Sequence, residues 1–110
     1  MTDLQILQKR IKKFHHERSW SHHPKEIAID VALEAAELLE HFKWRNGEVL
    51  DLYIKEHEED IKDELSDVLH ATLLLAQEMH IDINDAFERK MKKNEIKYPR
   101  EHVSTMTAKV

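Results

Sequence analysis

A chain of 110 residues is long enough for one hydrophobic core and too short for two, so a single domain is expected. The absence of cysteine excludes disulfides, thiolate zinc sites and thiol nucleophiles. A net charge of -5 argues against nucleic acid or an anionic membrane as partner, and an acidic protein that handles phosphates would need metal ions.

One glycine and two prolines in a sequence rich in Leu, Ala, Glu, Lys and Ile point to an all-α fold. Charged residues make up 35% and aromatics 6%, so the apolar residues must be gathered into stripes along helices to form a core. A subunit interface would supply burial that one chain lacks. The opening MTDLQILQKRIKKFHHERSW carries charges throughout, and no apolar run reaches membrane-spanning length. A soluble, cytoplasmic protein is the expectation.

The first helix is predicted over residues 3–17, with Leu4, Leu7, Ile11 and Phe14 on one face and Thr2 or Asp3 as cap. A turn from Ser19 to His23 leads to Pro24, which suits the first turn of a second helix because its missing N–H would have no partner there. That helix carries Ile27, Ala28, Val31, Ala35, Leu38, Leu39 and Phe42 on one face, and Asn46-Gly47 is read as its stop. The pattern resumes with Val49, Leu50, Tyr53 and Ile54, and continues through Ile61, Leu65, Val68, Leu69, Thr72, Leu73 and Ala76. This is one long helix or two joined near His57. A last helix, capped by Asp82 or Asn84, runs to Tyr98-Pro99 with Ala86, Phe87, Met91 and Asn94, and residues 100–110 are expected to form a mobile tail. The sum is a bundle of four or five helices over residues 1–99.

Residues three apart on a helix are surface neighbours, so Glu34 with Glu37, and Glu64 with Asp67, each set two carboxylates side by side. Both pairs lie offset to the same side of their apolar stripes. Antiparallel packing through those stripes would bring all four together, and parallel packing would separate them. A cluster of this kind offers hard oxygen ligands for Mg2+ or Mn2+. With 22 acidic residues in the chain, such spacings also arise by chance as solvated faces.

The stretches EIAIDVALEAAELLEHFKW and EDIKDELSDVLHATLLLA resemble the MazG-like and dCTP-pyrophosphatase branches of the all-α NTP pyrophosphatase superfamily. ERSWSHHPKE upstream and RKMKKNEIKYPREH downstream are similar to the same family's pattern, and the resemblance covers residues 14–102. It implies an oligomeric helical bundle that hydrolyses a nucleoside triphosphate between the α and β phosphates. It also implies Mg2+ held by Glu34, Glu37, Glu64 and Asp67, with one of them, such as Glu37, orienting or deprotonating the attacking water. By the same resemblance Lys90, Asn94, Lys97 and Tyr98 contact phosphate or sugar. A lysine-rich last turn is equally what the helix dipole favours. Trp20 and Trp44 are candidate stacking surfaces or packing residues. His22, His23 and Lys25 stand in the loop that would approach the nucleotide, and His70 suits helix packing better than ligation.

Two departures from the family leave base preference open: the Trp20–Pro24 loop is short, and Ala71 stands where relatives often carry a bulkier residue. The family builds its sites in dimers or in tetramers of paired dimers, so a homodimer or homotetramer is implied. Rival readings are a superfamily member acting on dUTP, dUDP or phosphoribosyl-ATP, and a non-catalytic helical interaction module. A di-iron bundle needs Glu-x-x-His pairs, which the sequence lacks.

Overall fold

A computed structural model describes residues 1–101, and the tail expected over residues 100–110 lies, beyond Glu101, outside the described residues. Five helices follow in order: α1 (Asp3–Glu17), α2 (Pro24–Glu40), α3 (Gly47–Glu56), α4 (Glu58–Glu78) and α5 (Ile83–Lys97). There is no strand among the described residues. No helix among them is long and apolar enough to cross a membrane.

Local signals set the boundaries. Thr2 caps α1 through a capping box, its hydroxyl accepting from the Gln5 N–H while the Gln5 side chain accepts from the Thr2 N–H. Pro24 opens α2, and Asp82, not Asn84, caps α5 by accepting from the Asp85 N–H. The long pattern after Gly47 resolves into two helices that meet at His57.

The expected stop of α2 at Asn46-Gly47 is corrected. The helix ends at Glu40, residues 41–44 form a turn that includes Phe42, and Gly47, at φ +53°, begins α3. The Arg45 guanidinium donates to the carbonyls of Glu40 (2.9 Å) and His41 (3.2 Å), satisfying acceptors that a longer helix would have used. The same guanidinium lies 3.7 Å from the centre of the Tyr53 ring, whose other neighbours are the stacked His57 ring at 3.9 Å and His41, bonded to the phenol oxygen at 2.9 Å. This clamp ties the turn to α3.

The helix α4 is the spine, with α1, α2 and α3 packed on it and α5 carried on α1. His15 of α1 meets His70 of α4, while Gln8 reaches the Ile81 carbonyl just beyond α4, so α1 and α4 run antiparallel. The α1–α2 loop lies near His70 through His15, whereas Glu34 and Glu37 lie by Glu64 further back along α4. That order makes α2 antiparallel to α4 as well.

The core is small: Ile11, Ile27, Leu73 and Leu74, joined by half-buried residues such as Leu4, Leu7, Leu75 and Ile83. On α1 the buried face is Gln8, Ile11 and His15, one step round from the expected stripe, and Phe14 is 38% exposed. Gln8 tolerates burial because its amide donates to the Ile81 carbonyl (2.9 Å) and accepts from the Ile83 N–H (3.3 Å). On α4 the buried set is Ile61, Ala71, Leu73, Leu74 and Ala76, leaving Leu65 and Leu69 open. Leu33 and Leu39 of α2 and Phe87 of α5 are more than half exposed. The radius of gyration is 17.2 Å, against the roughly 13 Å expected of a compact domain of about 100 residues.

Candidate functional site

Glu34 and Glu37 project from adjacent turns of α2, and Glu64 and Asp67 from adjacent turns of α4. Antiparallel packing brings one carboxylate oxygen each of Glu34, Glu37 and Glu64 to within 4.8 Å of one another. Asp67 stands outside that trio, yet its charge reaches Glu34 and Glu64. Glu34 and Glu64 are half-buried and Glu37 and Asp67 exposed, so the group is reachable from solvent on one side.

Oε2 of Glu34 and Oε2 of Glu64 are closed off from solvent, and neither accepts a hydrogen bond. No Lys or Arg side chain is ion-paired with these four carboxylates among the described residues. Burial, then the charges of Glu37 and Asp67 and contact with Glu64, push the Glu34 carboxyl up to about 7. Glu64 is also raised, first by burial and then by Glu37. Oxygens left without donors among like charges need a shared proton or a cation. The trio can hold a metal ion, and its all-oxygen donor set suits a hard divalent cation.

The sequence pattern of the MazG-like family matches residues 29–109, a span that contains both carboxylate pairs and all of α5. The chain belongs to the MazG-like family. A pyrophosphatase from Archaeoglobus fulgidus, solved by crystallography, is similar with a TM-score of 0.80 and 32% identity, over 91% of this chain and 95% of that one. Mouse dCTP pyrophosphatase 1 is 31% identical over 91 residues, and its rat counterpart 32%. Those matches cover 79% of this chain but 54% of either relative, so the chain spans about half their length.

The other residues singled out by the MazG-like resemblance fall in three places. Trp44 stands on the turn after α2, 89% exposed, at φ 71°, a backbone region that bulky side chains rarely adopt. Lys43 lies 5.7 Å from its ring centre. Trp20 is 52% exposed and packs edge-on against Phe14 (5.9 Å) and His15 (5.4 Å). His23 caps α2, its Nδ1 accepting from the Lys25 N–H at 3.1 Å, so its ring has a structural duty at the loop's end. The side chain of Lys25 is exposed beside it.

Lys90, Asn94 and Lys97 lie on α5 with Tyr98 at its C-terminal cap. Lys90 and Lys97 are exposed and Asn94 half-buried, and none of the three bonds to the carboxylates. Ala71 is buried, only 7% exposed. His70 meets a residue the sequence reading passed over, His15, whose two ring nitrogens lie 2.8 Å from His70 Nε2 and 2.9 Å from His22 Nε2. The available signal was helical spacing: Gln8, Ile11 and His15 recur at intervals of three and four.

Proposed function

We propose that this MazG-like chain is a metal-dependent nucleotide pyrophosphohydrolase, cleaving a nucleoside or deoxynucleoside triphosphate to the monophosphate and pyrophosphate. The observation that carries the reading is the pair of enclosed, donorless oxygens on Glu34 and Glu64, set within 4.8 Å of Glu37. The names borne by its relatives support the reaction class.

In this reading Glu34, Glu37, Glu64 and Asp67 hold Mg2+, or Mn2+ in its place. A metal bound there would neutralise phosphate charge and favour ionisation of water. Glu37, the exposed member of the trio, would orient the attacking water or take its proton. Trp44 and Trp20 offer faces for the base. His23 and Lys25 border the loop, and Lys90, Asn94, Lys97 and Tyr98 supply donors for phosphate or sugar. The open shape and the exposed leucines of α2 and α4 support assembly as a homodimer or homotetramer, in which a neighbouring copy closes the solvent-facing side. The site then serves to clear unwanted nucleotides from the cytoplasmic pool.

The test is to incubate the protein with each common NTP and dNTP, with and without Mg2+, and to quantify pyrophosphate against orthophosphate. The reading expects Mg2+-dependent pyrophosphate release that is lost in Glu64→Gln. Orthophosphate as the first product, or release unaffected by the substitution, would overturn it.

A further inference from the structure

His15, His22 and His70 form a chain of three imidazoles drawn from α1, the α1–α2 loop and α4. His15 is the hub, 8% exposed, with both ring nitrogens engaged. Its partners sit against opposite nitrogens, so the three rings do not converge on a point as the carboxylates do. The arrangement is a hydrogen-bonded chain and not a chelate.

The chain has a fixed proton capacity. Each N···N link needs one hydrogen between two nitrogens, so the two links take two. The outer nitrogens, Nδ1 of His22 and Nδ1 of His70, take one each, which brings the capacity to four. Three neutral imidazoles already carry three. One added proton is therefore held with both links intact, whereas a second places hydrogens on both nitrogens of one link and breaks it.

We propose that His15 is the hub of a proton-gated latch, in which the His22–His15–His70 chain holds the α1–α2 loop against α4 and releases it on taking up a second proton. The groups that face His15 are the rings of His22 and His70, Arg18 at the C-terminal cap of α1 and Glu78 on α4. Burial, the two rings and Arg18 disfavour charge on His15, and Glu78 opposes them. The loop folds back on the end of α1. Ser19 stands at φ 54°, the Trp20 N–H donates to the His15 carbonyl (3.0 Å), and the Trp20 ring rests on His15 and Phe14. The inference stands apart from the carboxylate chemistry, because its links and its capacity involve none of the four carboxylates.

The test uses Trp44→Phe, which leaves Trp20 as the only tryptophan, titrated from pH 8 to 4.5. Imidazole 15N shifts and N–N couplings across the links are followed by NMR, and the Trp20 emission maximum by fluorescence. The latch predicts two stages: a first proton taken up with both couplings kept and the emission maximum unmoved, then a second that abolishes one coupling and shifts emission to the red. His15→Gln, added to the same background, is expected to remove the staging and to show red-shifted emission already at pH 8. Should that variant fail to fold, His70→Gln, at a half-buried position, is expected to remove one coupling and the staging with it. Three histidines titrating independently, or both couplings surviving a second proton, would overturn the proposal, as would variants that titrate like the parent.

Discussion

Two polar clusters hang on the same helix, α4, and they have opposite bookkeeping. At Glu64, carboxylates from two helices crowd together with enclosed oxygens that lack any donor, while at His70, a turn beyond Asp67, every nitrogen of the buried hub is matched. A satisfied cluster holds the fold together, and an unsatisfied one waits for a ligand. The first two helices divide accordingly: α1 contributes closed contacts through Gln8 and His15, and α2 contributes the open carboxylate face.

The contrast can be broken most decisively by removing one group from each cluster. On the proposed function, Glu64→Gln is expected to lower kcat/KM for pyrophosphate release by roughly 100- to 1000-fold, since one of the carboxylates proposed to act there is lost. The same change is expected to leave the metal-free protein at least as stable as its parent, because one member of a repelling set becomes neutral. Enzyme assays and thermal unfolding in EDTA check the pair of outcomes. His15→Ala reverses them, costing about 1–3 kcal/mol of stability because His22 and His70 lose their partner, with Mn2+ affinity unchanged.

A subtler separation comes from pH. Glu34 is raised from 4.5 in the unfolded chain to about 7, so its share of stability is present below pH 4.5 and is lost as pH rises through about 7. His15 is lowered from 6.5, so its share is present above that value and is lost as pH falls below it. Unfolding of the metal-free protein at a series of pH values is expected to show the alkaline loss diminished in Glu37→Gln and the acid loss diminished in His15→Gln.

Metal affinity gives the smallest effect. A cation displaces the proton that Glu34 retains, so binding below about pH 7 is expected to strengthen by up to roughly tenfold per pH unit and to level off above it. Calorimetry in buffers of different ionisation heat measures the released proton directly.

The sequence disclosed the helices more fully than their environments. Period and caps placed α1 and the start of α2, because these depend on local chemistry at Thr2 and Pro24. The pattern after Gly47 left one long helix or two open, and the structure decides for two. The end of α2 escaped because it is set by Arg45 reaching back to carbonyls and across to Tyr53, contacts that exist only after folding. The convergence of Glu34, Glu37 and Glu64 was legible from spacing and offset. That Asp67 stands apart was not, since a shared side of two helices does not fix side-chain reach. Spacing could place His15 on the buried face but not give it a role, because a polar residue there becomes meaningful only when its partners, 7 and 55 positions away, arrive.

Whether Glu34, Glu37 and Glu64 bind a cation can be read from electron paramagnetic resonance of Mn2+. Titrating the parent and Glu34→Gln/Glu37→Gln at pH 7.5 is predicted to show saturable loss of the free Mn2+ signal in the parent and little in the variant. Equal uptake by both proteins would rule out a cation site at these carboxylates.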